Sequence, residues 1–563
     1  MQLKEYIQAK VVKMLGLVKY EGQSDTDRLT FINDVERAKR LKVREYNVWY
    51  EGDDDELLNF YTRENLIGFN YEPYYSRNKL SYFWAISSTE NDVKRTHSGH
   101  PRNIVDTIVN VVGEADIRSD GEVTNGVLER IVDDNDFMGI MTQEQLPYTL
   151  VEGWGCYKIN WDLGFSDTPI ILYYKANDVD FVYRSNRIVG AIFKDFYVNK
   201  DGKKLLIVET RYIGRDDRAK TKKSLYIDKE LFEVSGDENW IKKARFEDYP
   251  EVEGTETRVK VTNYDKLLAT PCIIFKNKNS TFVDTPGKSI FCGKISFFDD
   301  IDQAWSQLSN TTRKATPIEY IDVNVLERDK KTGMPIQPRA YDRKYTMYYG
   351  ARNSEGEAKG DSVLVTQPDL KLSEFLGETT QLLQNSIAGV LSPATLGIDV
   401  GRKDNADAQR EKEKVTIFTR NAIIKKQTRI IKSVLEQAMH AYELMHTNKI
   451  TVQDYDISVK FSEFADDSFD NKLAVLGPAF EKKIISPEML VSRLYANEEL
   501  SEAEKDREVE YIKSKDKEPF EDEMPGFGGL GGNPDGAPDQ AVQPGQGNEM
   551  EMSFDENEDS EDL

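Results

Sequence analysis

The residues of this chain whose types and spacing suit chemistry fall into a few short clusters. Gly287-Lys288-Ser289, within FVDTPGKSI, has the form of the end of a phosphate-binding loop, in which backbone amides and a lysine surround a phosphate. That loop needs a glycine where Phe282 stands, and the residues before it make a poor strand. An ordinary turn ahead of the next helix is expected. His97 and His100 bring two imidazoles close together, as a metal site would. No Cys or further His is near them in sequence, so surface or capping histidines in a loop are expected. Asp53, Asp54 and Asp55, then Asp133, Asp134 and Asp136, then Asp299, Asp300 and Asp302 supply oxygens of the kind a divalent cation takes. Such runs read as solvated faces or helix starts. Tyr71, Tyr74, Tyr75, Tyr82, Phe83 and Trp84 have faces on which bases stack, but core packing or a subunit contact is the expectation. The remaining histidines, His440 and His446, stand together at the end of a long helical pattern. Nothing groups a nucleophile with a base and oxyanion donors, so neither catalysis nor a cofactor is expected.

The elements that must position these clusters are organised around one stretch. From Asp404 to Met445 there is no Pro or Gly, and Ile417, Ala422, Ile424, Ile431, Val434, Leu435, Ala438, Met439 and Tyr442 recur at helical spacing. A helix of that length spans about 60 Å and must cross a large domain or pack on copies of itself. Before it, Ser296–Arg313 and Ser373–Leu391 read as two helices of similar length. The first has a capping pattern from Ser296 to Asp299 and apolar positions at Phe297, Phe298, Ile301, Trp305 and Leu308. Between the two lie strand-like pieces, PIEYIDV, KYTMYYGA and DSVLVTQ, as if the chain ran out, built a small domain and ran back. From Gly155 to about Lys276 short β-branched and aromatic runs separated by turn residues predict antiparallel meanders. RNIVDTIVNVVG predicts a buried helix ending at Gly113. After Met445, ISVKFSEF reads as a strand, Ser486-Pro487 starts a helix, and Ser501 with Glu504 caps another.

Charge narrows the function classes. Of a net charge of −24, −14 lies between Glu518 and Leu563, which hold fourteen Asp and Glu and no Lys or Arg, and −10 lies on the rest. The tail, with its Gly- and Pro-rich start, reads as disordered. An acidic body argues against tight wrapping of nucleic acid but allows DNA to slide past. Three widely spaced cysteines imply neither a disulfide framework nor a zinc site. The N-terminal twenty residues read as an amphipathic helix, and no apolar run approaches a membrane span.

Taken in order, these parts resemble the portal (head–tail connector) proteins of tailed double-stranded-DNA bacteriophages, over about residues 30–515. The likeness is carried by VWYEGD at 48–53 with NIVDTIVNVVG at 103–113, and by LVEGWGCYKINWDLG at 150–164 leading into LYYKANDVDFVY. It continues through the helix–excursion–helix–loop–long-helix order that includes LSPATLGIDVGRKDNADAQREKEK. It closes with KKIISPEMLVSRLYANEELSEAEKDREVEYI at 482–512.

The resemblance implies an α+β multidomain subunit in a ring, usually of about twelve copies, at one capsid vertex. Residues 1–295 would be the wing, strand-rich over 156–276. Residues 296–313 and 373–391 would be stem helices, 314–372 the clip and 392–403 the tunnel loop. Residues 404–445 would be the long wing helix, 446–517 the crown and 518–563 the disordered acidic tail. Thr395, Leu396, Asp399, Val400, Arg402 and Lys403 would then line the DNA channel, with Arg402 and Lys403 able to make a weak, movable phosphate contact. Arg339, Arg343, Tyr345, Tyr348 and Tyr349 would make clip contacts with neighbouring subunits or partners, and clip strands would add to a neighbour's sheet edge. The implied partners are further copies of the chain, the large terminase, the major capsid protein and scaffold, a head-completion or adaptor protein, and double-stranded DNA passing non-specifically. No membrane is involved. The subunit would assemble in the host cytoplasm and reside in the virion. The alternatives are a packaging enzyme that processes nucleic acid and a minor head protein without a channel.

Overall fold

In the computed structural model of the chain, the described residues are 28–30, 34–62, 81–86, 93–119, 121–215, 223–234, 240–252, 254–277, 285–314, 318–324, 326–336, 344–349, 363–366, 372–398, 406–447, 449–450, 454–462, 476–480, 482–495 and 502–515. The expected N-terminal helix, Tyr71, Tyr74, Tyr75, Ser501 and the acidic tail lie outside them. The chain is mixed α+β and forms two compact units, residues 1–466 and 467–563.

The first unit opens with β1 (Arg28–Thr30), α1 (Asp34–Glu51), α2 (Asp54–Phe60), α3 (His100–Val112), β2 (Ala115–Ser119) and α4 (Glu122–Asp134). Gly113 ends α3 as expected, at φ 70°. A π-helical stretch, Ile140–Gln145, runs without a break into α5 (Leu146–Glu152), a feature the helical rhythm of the sequence did not reveal. β3 (Gly155–Asn160) and β4 (Ile170–Tyr174) follow, then the expected meander: β5 (Val179–Arg184), β6 (Arg187–Val198), β7 (Lys204–Arg215), β8 (Lys223–Val234) and β9 (Trp240–Ala244). With β1 on β9 and β10 (Arg258–Thr262) on β8 they form a seven-stranded antiparallel sheet. Ser185 and Asn186, both at positive φ, make the tight two-residue turn between β5 and β6 that matches the twist of paired strands. β11 (Ala269–Cys272) joins β3 and β4 in a second sheet.

Arg211 on β7 ties these sheets together. Its buried guanidinium donates to the carbonyl of Ile159 at 2.8 Å and to that of Leu268, and pairs with Glu209 at 2.7 Å. Burial would raise the Glu209 carboxyl, but Arg211, Lys158 and Lys229 outweigh it and hold the pKa at about 2.

The unit continues with α6 (Ile295–Lys314), β12 (Ile318–Asp322), β13 (Lys344–Tyr348), β14 (Val363–Thr366), α7 (Leu372–Ile387), α8 (Ala406–Thr447) and β15 (Ile457–Phe461). α8 is the expected long helix, 42 residues and about 63 Å. Ile431, Val434, Leu435, Ala438 and Met439 bury its C-terminal half in the core with β3 and β11. Gln437 accepts from the Ala269 amide at 3.1 Å and donates to Thr270 Oγ1 at 2.7 Å, so the helix also fixes β11. Ala422, expected inside, is exposed; Ile423 takes the buried position. β15 pairs with β2.

In the second unit, α9 (Pro487–Leu494) starts as expected, with Ser486 Oγ accepting from the Met489 amide at 3.3 Å. α10 (Glu502–Lys515) follows it, and Lys513 pairs with Glu488. Among the described side chains of these helices, Leu490, Val491, Leu494 and Val509 are buried apolar residues.

Candidate functional site

α6 and α7 run antiparallel side by side. At one end Lys294, just ahead of α6, donates to the carbonyls of Ser386 and Ala388 at the end of α7, the latter at 3.0 Å. At the other end the chain leaves α6 into β12 and re-enters α7 from β14, and those strands pair with each other. Among the described residues the excursion contributes a small three-stranded sheet between the far ends of the helix pair. The helices are less matched than expected, at 20 and 16 residues.

In the tip sheet β12 lies between β13, parallel to it, and β14, antiparallel. Ile321 and Val323 are buried, while Val363, Leu364, Val365 and Met347 are exposed. Of the expected clip contacts, Tyr348 is half-buried in β13 and Tyr349 is 83% exposed just beyond it. Tyr345 is on β13, paired with Glu319, and Arg339 and Arg343 lie outside the described residues.

The near end of the pair leads into the loop before α8. Pro393–Leu396 forms a 3-10 turn seated on α8. Thr416 Oγ1 accepts from the Ser392 amide at 2.9 Å and lies 2.7 Å from Thr395 Oγ1, and Leu396 packs partly buried against the core. Thr395 and Leu396 therefore hold the start of the loop to the spine. Asp399, Val400, Arg402 and Lys403 lie outside the described residues.

The acidic run on α6 departs from expectation. Asp299 and Asp302 are buried rather than solvated, and Asp300 alone is exposed. Ser296 does not cap the helix, which already begins at Ile295; Asp299 instead accepts from the amides of Phe83, at 2.8 Å, and Trp84. Asp302 accepts from the Ser98 amide at 2.8 Å, from Trp84 Nε1 at 3.0 Å, and meets His97 Nδ1 at 2.7 Å. His97 and His100 are thus interior, not surface, residues. His100 Nε2 lies 2.7 Å from Ser386 Oγ on α7. The His97 ring rests against Gly52, where a Cβ would come within 2.8 Å of it, so the glycine of VWYEGD makes room for the imidazole. Phe83 and Trp84 are core residues. Burial pushes the Asp299 carboxyl up to about 7, against the pull of the two amides, and pulls the His100 imidazole down to about 4. The cluster fastens Phe83, Trp84, His97 and Ser98 to α6, and His100 to α7.

The other acidic runs cap helix starts and bind neighbouring loops, Asp54 among them by accepting from the His97 amide at 3.0 Å. Asp53 caps α2 by accepting from the amides of Asp55 and Glu56; Asp136 accepts from Gly139, and Asp134 from Thr168. Among the described residues no three His, Cys, Asp or Glu are grouped to hold a metal ion. In the Gly287-Lys288-Ser289 turn Lys288 N donates to Phe275 O at 2.8 Å, and the amide that follows the turn, Ile290 N, donates to Leu150 O at 3.0 Å. Gly287 faces Gly153 backbone to backbone, and a Cβ on Gly287 would fall 1.8 Å from the Gly153 carbonyl oxygen. This glycine serves close packing of the turn on the end of α5.

The His97–Asp302 pair escaped sequence reasoning because its partners are 205 positions apart. No local spacing marks it. The same holds for Gln145 in the π-helical stretch, which bonds to Gln427 of α8. Among the described residues no helix is long and apolar enough to cross a membrane. No known protein family matches the chain, and no curated protein is detectably similar to it.

Proposed function

We propose that the chain is the portal subunit of a tailed double-stranded-DNA phage: a ring-forming, non-enzymatic channel component at one capsid vertex. The observation that carries this reading is the antiparallel pair α6–α7, with a small sheet at its far tip and a seated turn leading into a 42-residue helix at its near end. That order of parts is what the resemblance requires of stem, clip, tunnel loop and long wing helix.

A second feature supports assembly. β14, at one edge of the tip sheet, exposes Val363, Leu364 and Val365 on both of its faces, and at the other edge β13 exposes Met347, with exposed Tyr349 just beyond it. Edge strands with uncovered apolar residues invite pairing with another chain, and neighbours in a ring would cover them. In this reading the ring docks the terminase during packaging and head-completion proteins afterwards, and DNA passes both ways. The acidic body keeps phosphates from sticking to the wall, and Arg402 and Lys403 supply a weak contact in the tunnel loop.

Electron microscopy of negatively stained, purified protein tests the proposal. Closed rings with a central hole are expected. Particles of subunit size at every concentration would contradict it.

A further inference from the structure

Between Lys414 and Leu435, α8 holds six Lys and Arg and no Asp or Glu, in a chain of net charge −24. Four of these cations, Lys414, Lys425, Arg429 and Lys432, are exposed. At ~100° per residue they fall within about 60° of one another, on a single face of the helix. The acidic residues that bound the stretch are Glu413 and Glu436, and Glu436 is engaged by Lys266 at 2.7 Å. Among the described residues no carboxylate pairs with Lys425, Arg429 or Lys432. Phe418, on the same face, is 62% exposed, and Val415 beside it is exposed as well.

We infer that this face of α8 is a docking surface for the acidic surface of a second copy of the chain. The inference rests on the ring reading above and names one of the two unlike faces that a head-to-tail contact needs. Charge complementarity selects the occupant. The rest of the chain carries the compensating negative charge, so each copy offers what the face of its neighbour lacks. The apolar component points the same way. An exposed phenylalanine next to cations gains from burial under protein side chains, whereas a phosphate backbone would take the cations and leave the ring wet.

The test is sedimentation of the full chain in low and high salt, for the parent, for K425E/R429E/K432E and for F418S. All four positions are exposed, and thermal midpoints close to the parent's would show that the variants fold. The parent should assemble more strongly in low salt. The triple reversal should weaken assembly by about tenfold or more and invert its salt dependence, and F418S should weaken it at every salt concentration. A folded triple variant that assembles as the parent does would overturn this inference and leave the ring reading standing. If that variant assembles normally but retains less duplex DNA on a filter, the face belongs to DNA and the inference is likewise overturned. A parent that stays monomeric in all salts would remove both.

Discussion

His97 Nδ1 lies 2.7 Å from Asp302 Oδ2, both side chains almost wholly buried, and joins a loop that precedes α3 to the helix that leads into the tip sheet. The same carboxylate takes the Ser98 amide and the Trp84 indole N–H, so three donors from one segment converge on a single side chain of α6. The arrangement sets where the helix pair stands on the body of the first unit.

Asp302→Ala should therefore destabilise the first unit by about 3–5 kcal/mol, because several buried polar groups lose their partner together. Asp302→Asn, which keeps an acceptor, should cost less. Denaturant unfolding followed by tryptophan fluorescence measures both. An Asp302→Ala variant as stable as the parent would mean that the cluster does not hold α6.

Asp299 gives a pH signature. Its folded pKa of about 7 stands above the unfolded carboxyl value of about 3.9, so between those values the folded chain keeps a proton that the unfolded chain has lost. The contribution of this group to stability therefore falls as pH rises through that window. Asn cannot ionise, so the melting temperature of Asp299→Asn should improve relative to the parent's as pH rises from about 4 to about 7. The opposite trend expected of His100 is common to both proteins and cancels in the difference. An offset that is constant with pH would contradict the assignment.

Asp180 on β5 is held by Lys194 at 2.7 Å and by Lys39 of α1. Burial opposes its charge, but the two ammonium groups prevail and keep its pKa below the usual range. Asp180→Ala removes the carboxylate that two buried lysines share and should cost about 3–5 kcal/mol. Double substitution of Asp180 and Lys39 should cost less than the sum of the single substitutions, as a thermodynamic cycle would report.

Cys156 and Cys272 are buried on neighbouring strands, and burial raises both thiols, whereas Cys292 is half-buried. A thiol reagent should label one cysteine in the native protein, Cys292, and all three after unfolding. Native labelling of Cys156 would contradict the packing of β3.

Much of this architecture was legible locally. The meander from β5 to β9 announces itself as β-branched runs between turn residues, and α8 as a long apolar period without Pro or Gly. The phase of α6 was not legible. Trp305 stands on the expected apolar stripe yet is exposed, while Asp299, Asp302 and Ser306 are buried. Local periodicity assigns carboxylates to solvent. Only the distant residues Phe83, Trp84, Thr96, His97 and Ser98, which bring amides, an indole and an imidazole, make their burial favourable. Likewise the sequence makes Gly287 part of an ordinary turn, but only its approach to Gly153 supplies the packing reason for a glycine there. Of the candidate channel residues, Thr395 and Leu396 gained a definite role in seating the loop on Thr416 and the core.

The most direct measurement is the native mass of the purified protein, set against its subunit mass of 64.5 kDa. A particle of about twelve subunits, closed and uniform, is the predicted result. A monomer that persists at high concentration in low salt would contradict the ring, and with it the portal reading.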